Sequence, residues 1–338
     1  MESNSPSVFD IGRNPWYPQK VTWGNRAVYS INSYIKQLPK SIRENLQGAV
    51  DFHLHFSAAP GYRRNLVEMA EHASSAGMSA LVIKNLFGTS QEACHIANKQ
   101  LGRTILYPSF TLGRTTGGLN PSAVDHFSKA DPANRVVEMP VFDSLHEVRL
   151  RGLSDDQGVA VFRDSQPIPG LPEILKMVGE RNMVLKTGHI APRESLLLIR
   201  LARDAGVENI VVTHATGSPV MASPEEQKEM ADLGALIEHC LIKFLPVSRL
   251  RNIKRYPNWE GITFGHLDYL KASLESVGPE RCIAATDGGQ IYNPSPLELF
   301  IYLLYLLQEL GCSAEEIRMM VGNNPRMMLG ISEGPGNP

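Results

Sequence analysis

Residues 183–217 read MVLKTGHIAPRESLLLIRLARDAGVENIVVTHATG. An apolar run at 183–187 leads into Gly188-His189, a helical pattern follows at 192–205, and a second apolar run at 210–214 ends in His214. Pro192 suits the first turn of a helix, where its missing N–H costs nothing, and Ala205-Gly206 suits a helix end, where glycine takes the left-handed turn. The order strand, helix, strand is a βαβ unit. Strands with no polar face belong to a parallel sheet covered by helices on both sides.

The same alternation extends outward in both directions. Strand-like runs stand at 49–53, 80–84, 104–109, 136–141, 183–187, 210–214, 235–239 and 282–287, with helical patterns between them at 65–76, 172–181, 192–205 and 224–232. Ala76-Gly77 and Leu233-Gly234 repeat the stop signal before a strand. Eight such strands predict an α/β protein of the closed (β/α)8 barrel type. No Gly-x-Gly-x-x-Gly follows the first strand, so a dinucleotide-binding sheet lacks its phosphate loop.

The remaining chain divides around that barrel. Residues 1–47, with Trp16, Trp23 and several prolines, read as an arm packing on the main domain, with a short helix near 30–37. Residues 48–331 form the barrel and its C-terminal helices, and 332–338 form a Gly/Pro-rich tail. Stretches 142–171 and 241–281 read as loop insertions, the second carrying Lys243, Arg249, Arg251, Lys254 and Arg255. The helix at 296–311 is apolar enough to serve as core or as the seam of a homo-oligomer.

Composition excludes several function classes. Hydrophobic residues at 43% and charged residues at 20% describe a globular domain, and a net charge of −2 gives no footprint for nucleic acid. No apolar run reaches the ~20 residues of a membrane span. The opening Met-Glu-Ser-Asn-Ser-Pro has neither basic nor apolar signal regions, and Cys94, Cys240, Cys282 and Cys312 form no C-x-x-C pair. The expectation is a cytoplasmic protein with reduced, buried thiols and a small-molecule substrate.

Barrel enzymes build their sites at the C-terminal ends of the strands. The first strand here ends in Asp51-Phe52-His53-Leu54-His55, where alternation places His53 and His55, with Asp51, on one face. The fifth and sixth lead into His189 and His214, and the eighth ends in Thr286-Asp287-Gly288-Gly289-Gln290. Imidazoles and a carboxylate converging on one rim suit a divalent cation such as zinc. Lys84 and Lys186 stand at the ends of strands two and five, either solvated or catalytic, binding a substrate anion or polarising a carbonyl, and Lys84 could also be carboxylated as a metal bridge. Glu238, at the end of strand seven, is expected to face the mouth with His239 turned away. Arg63 or Arg64 in the first loop can grip a carboxylate or form a surface ion pair, Gly117-Gly118-Leu119-Asn120-Pro121 can approach a substrate through Asn120 or form a plain turn, and Gln290 after strand eight is a further candidate for substrate contact. His72, His95, His126, His146 and His266 fall on helices or loops and are assigned no chemistry.

His-x-His, His, His and Asp on strands one, five, six and eight resemble the amidohydrolase superfamily of metal-dependent hydrolases, over nearly the whole barrel. Asn323-Asn324-Pro325-Arg326-Met327-Met328-Leu329-Gly330 is similar to that superfamily's closing helix. Lys186-Thr187-Gly188-His189-Ile190, Gly117-Gly118-Leu119-Asn120-Pro121 and Thr286-Asp287-Gly288-Gly289-Gln290 resemble more narrowly a poorly characterised amidohydrolase-like group of unknown function. The resemblance implies that His53, His55 and Asp287 bind one metal (zinc first, then manganese or iron), with His189 and His214 similar in place to ligands of a second. It implies that Asp287 also takes a proton from water and returns it to the leaving group. It points to hydrolysis of an amide, cyclic imide, lactam, lactone or ester, and leaves a decarboxylase-type lyase, a phosphoesterase or an inactive metal-binding barrel as alternatives. One departure stands out. Two-metal members carry a carboxylated lysine at the end of strand four, where this chain has Glu138 followed by Met139-Pro140; this favours one metal.

Overall fold

The computed structural model describes residues 31–332 except 60, 64, 87 and 246–266. Arg64, four of the five basic residues of the second insertion, His266, most of the expected arm and nearly all of the tail lie outside these residues.

Eight parallel strands form one sheet in chain order: β1 (Val50–His55), β2 (Ala80–Lys84), β3 (Leu106–Thr111), β4 (Val136–Glu138), β5 (Val184–Lys186), β6 (Asn209–Val212), β7 (Leu236–Cys240) and β8 (Cys282–Ala285). The sheet closes where Asp287 N donates to His53 O at 2.9 Å and His55 N to Gly288 O at 2.8 Å. The expected (β/α)8 barrel is borne out, with strand ends shifted by a few residues. Two short helices precede it, α1 (Ile31–Gln37) and α2 (Lys40–Leu46). The helical layer then runs through α3 (Leu66–Ser75), α4 (Gln91–Leu101), α5 (Pro121–Ala130), α6 (Leu145–Leu150), α7 (Leu171–Glu180), α8 (Pro192–Asp204), α9 (Pro224–Asp232) and α10 (Leu267–Val277). The C-terminal extension is α11 (Pro296–Glu309), α12 (Ala314–Arg318), a π turn and α13 (Asn324–Leu329). The first insertion contains α6 and a small hairpin, Phe162–Arg163 with Gln166–Pro167.

Two apolar cores follow from strand alternation. Val82, Val136, Val184, Val211, Leu236 and Ile283 fill the barrel interior, and Met328 and Leu329 of α13 join that cluster. Branched side chains from successive strands pack the interior solid, as barrels of this kind require. The opposite faces of the strands and the inner faces of the helices form the larger core. In α11 Leu299, Phe300, Leu303, Leu304 and Leu307 are buried, and Tyr302 and Tyr305 are exposed, so this helix serves mainly as core. No helix among the described residues is long and apolar enough to cross a membrane.

Alternation inside the barrel also places charge. Two residues beyond Val82, Val136, Val184 and Leu236 on the same inward face stand Lys84, Glu138, Lys186 and Glu238. These four form a ring of alternating sign at the C-terminal end of the apolar interior.

Candidate metal centre

β1 departs from simple alternation. Its register with β2 pairs Asp51 with Leu81 and Leu54 with Ile83, so Phe52 and His53 together oppose Val82. A bulge of this kind re-aims a side chain. Both Phe52 and His53 consequently contact groups of the interior: the Lys186 ammonium lies 5.2 Å from the Phe52 ring centroid, and His53 meets Glu238. This corrects the expectation that Asp51 shares the face of the two histidines. Asp51 turns instead to β8, where it accepts from Thr286 Oγ1 at 2.5 Å and Thr286 N at 3.0 Å. Burial pushes its carboxyl up to about 7 although both Thr286 bonds oppose the shift.

His53, His55 and His214 gather around Asp287, and His189 packs on His214. The ring centroids of His53 and His55 are 5.3 Å apart, those of His53 and His214 4.7 Å, and those of His189 and His214 4.9 Å. Asp287 Oδ1 lies 2.6 Å from His55 Nε2 and 3.6 Å from His53 Nε2, while Oδ2 lies 3.7 Å from His214 Nε2 and 3.2 Å from Lys243 Nζ. His214 and Asp287 both hold left-handed backbone, with φ of 53° and 55°, just past β6 and β8. Such strain in non-glycine residues collects at functional sites. Gly289 is required beside them, because a Cβ there would meet His55 O at 2.0 Å.

Two of the histidines are oriented from behind by carboxylates. His53 Nδ1 is 2.9 Å from Glu238 Oε2, and His189 Nδ1 is 2.5 Å from Glu147 Oε2. Each carboxylate accepts an Nδ1–H and so fixes the tautomer that turns the Nε2 lone pair to the centre. The buried His189 Nε2, His55 Nδ1 and His214 Nδ1 find no partner among the described residues. Glu147 was not singled out in the sequence, because it sits on α6, outside every strand-end motif; only its position three residues after Ser144, the cap of that helix, is legible.

The electrostatics keep these imidazoles neutral. Burial lowers the pKa of His53 well below its ordinary value, and the Lys186 and Lys84 charges lower it further. Burial likewise lowers His55, His189 and His214. For Asp287 burial works the other way, but the Lys243 ammonium beside it and the hydrogen bond from His55 oppose it, and the carboxyl stands well below the usual range. Neutral imidazoles beside an ionised carboxylate are the protonation states a divalent cation needs. Two buried donor sets each lie within 4.8 Å: His53, His55 and Asp287, and His53, His214, Glu238 and Cys240. With orphaned ring nitrogens at hand, the residues present fit such a cation.

By sequence all four thiols are expected to be inert core. Cys240 departs from this, lying 3.9 Å from His53 Nδ1 and 3.7 Å from Glu238 Oε2. Glu238 faces the interior as expected, but its oxygens are taken by Lys186 at 2.6 Å and by His53. His239 is buried off this cluster, 3.2 Å from Thr216 Oγ1. Lys84 donates to Glu138 at 2.8 Å and approaches His53 Nε2 at 3.4 Å, so neither lysine is solvated. The described residues expected to bind substrate also bond within the scaffold. Arg63 donates to Asn293 O at 2.9 Å, Gln290 donates to Asp287 O at 2.8 Å, and Asn120 caps α5 by accepting from Ser122 N at 3.0 Å.

A family model described as a family of unknown function (DUF6282) matches residues 48–238, more than half of the chain. The chain belongs to this family. No curated protein matches its sequence. Among solved structures this DUF6282 member is similar to an amidohydrolase from Pseudomonas aeruginosa at 14% identity and a TM-score of 0.56, over 86% of this chain and 98% of that one. An organophosphorus hydrolase from Deinococcus radiodurans matches at 15% identity and 0.53, over 84% and 92%. A probable 2-pyrone-4,6-dicarboxylic acid hydrolase from Acinetobacter baumannii matches at 13% and 0.50, over 84% and 100%. The resemblance to amidohydrolase-type barrels is borne out, and at these identities it establishes a shared fold.

Proposed function

We propose that this chain is a metal-dependent hydrolase that cleaves a C–N bond of a small molecule (amide, cyclic imide or lactam) or the ester bond of a lactone. The observation that carries this is Asp287, an ionised carboxylate held among three buried neutral imidazoles, with a fourth packed on one of them, at the C-terminal mouth of the barrel. His53, His55 and Asp287 would hold a divalent ion, zinc before manganese or iron, with His214 near the other oxygen of Asp287 and His189 packed on His214. Bound there, such an ion supplies Lewis acidity and hydroxide at neutral pH.

The chain's own residues do the rest. Asp287, already deprotonated, accepts a proton from water, and its low basicity favours passing that proton on to the leaving group. Lys243, 3.2 Å from Asp287 Oδ2, offsets the charge as the proton moves. Glu238 and Glu147 keep His53 and His189 in register. A cavity of about 420 Å³ lies among the segments that follow β2, β3 and β4, lined in part by Asn85, Thr111, Arg114, Phe142 and Arg151. Two of its lining residues reach toward the centre: Thr111 Oγ1 lies 3.4 Å from Glu138 Oε2, and the Phe142 ring centroid lies 5.9 Å from that of His189. This volume suits a small molecule. The names of the similar structures, an amidohydrolase, a probable pyrone-dicarboxylic acid hydrolase and an organophosphorus hydrolase, support the hydrolase class.

Elemental analysis of wild type against His53→Ala tests the reading. Wild type is expected to carry bound zinc, manganese or iron and the variant to lose it. Negligible metal in both would overturn the proposal.

A further inference from the structure

The second donor set, His53, His214, Glu238 and Cys240, is already served by a cation of the chain itself. Lys186 Nζ lies 2.6 Å from Glu238 Oε1, 3.2 Å from Phe52 O and 3.4 Å from His53 Nδ1. We propose that the Lys186 ammonium fills the position of a second metal permanently, so that the barrel binds a single divalent ion, and that removing it opens a thiolate-containing site built from His214, Glu238 and Cys240. The inference rests on the preceding reading that His53, His55 and Asp287 take a metal.

The two lysines beside His53 are not equivalent. Lys84 approaches Nε2, the nitrogen that belongs to the first donor set, but its carboxylate partner Glu138 lies outside both sets. It can give up the imidazole and keep its ion pair. The carboxylate partner of Lys186 is Glu238, itself a donor of the second set. Withdrawing Lys186 leaves Glu238 as a buried unpaired charge, a strongly unfavourable state. A dication entering beside the ammonium would meet its repulsion in a site of low dielectric. Lys84 and Lys186 neutralise Glu138 and Glu238 within the ring, so neither carboxylate is left to balance the charge of a second divalent ion.

The experiment loads purified protein with excess Co²⁺, removes free metal, and measures bound metal and the thiolate-to-cobalt charge-transfer absorption. Wild type and Cys240→Ser should each bind about one equivalent with no thiolate band. Lys186→Met should bind about two with the band present, and adding Cys240→Ser should abolish the band. Two equivalents or a thiolate band in wild type would overturn the inference and leave the metal-centre reading standing, as would a Lys186→Met protein that still binds one. No metal in wild type would overturn that reading, and this inference with it. If Lys186→Met does not fold, wild type and Cys240→Ser still decide the stoichiometry and the thiol's part.

Discussion

The two ends of the barrel use polar side chains in opposite ways. At the N-terminal end they serve the backbone. Arg203 donates to the carbonyls of Val207, Glu208, Leu233 and Gly234, just before β6 and β7. Asn98 accepts from Ile105 N and Leu106 N and donates to Leu106 O, and Asn324 donates to Pro279 O and Cys282 O. At the C-terminal end the side chains serve each other, histidine to carboxylate and lysine to carboxylate, and four imidazoles, His239 among them, keep a ring nitrogen without a partner among the described residues. Strained backbone at His214 and Asp287 joins them there. One end spends its side-chain bonds chiefly on the backbone; the other keeps unspent bonding capacity, as a ligand site must.

The largest expected consequence falls on Asp287. Asp287→Asn keeps an oxygen for the metal but loses the proton acceptor, so turnover should fall by about 10²–10⁴-fold, the usual worth of general acid–base catalysis. Steady-state kinetics beside metal content check this; turnover that survives the change removes the proton-transfer role and with it the chemical contrast between the two ends. Glu147→Gln is next. It weakens the acceptor behind His189 Nδ1 while preserving shape, and loss of such a partner typically costs about 10–100-fold in metal affinity or activity. Competition with a chelator measures it. Unchanged affinity and activity would make Glu147 a packing residue only.

The N-terminal end should answer to stability instead. Asn324→Ala removes two hydrogen bonds near the start of β8, and since Pro279 O keeps its bond from Cys282 N, each is worth about 0.5–1.5 kcal/mol. A lowered denaturation midpoint with metal content and turnover unchanged is the expected outcome. Loss of metal at full stability would erase the division between the ends.

How much of this division is legible in the sequence differs by feature. The barrel is legible because its strands are apolar throughout and its helices carry proline and glycine punctuation, so each element announces its own limits. His53, His55, His189, His214 and Asp287 are legible because strand ends collect at one mouth. Alternation fails at β1, since a bulge is a matter of pairing with β2 and leaves no mark in the run Asp51–His55; Asp51 is therefore misplaced. Glu147 and Lys243 lie in insertions whose paths back to the histidines are set by tertiary packing. Cys240 passes as a core thiol because a buried cysteine in a strand looks the same whichever neighbours it meets.

Asn120 gives the smallest effect and the finest cut. Its motif, Gly117-Gly118-Leu119-Asn120-Pro121, resembles that of other family members and invites a role in substrate contact. In the structure its Oδ1 accepts from Ser122 N and Ala123 N, with Pro121 at the first turn of α5, an N-cap of the ordinary kind. A cap of this type is worth about 1 kcal/mol. Asn120→Ala should lower stability by about that amount, and Asn120→Ser, which restores a cap acceptor, should recover most of it. KM should not move in either variant. If KM rises in both while stability holds, Asn120 reaches substrate, and the boundary between bracing and chemistry runs through this loop rather than along the rim of histidines.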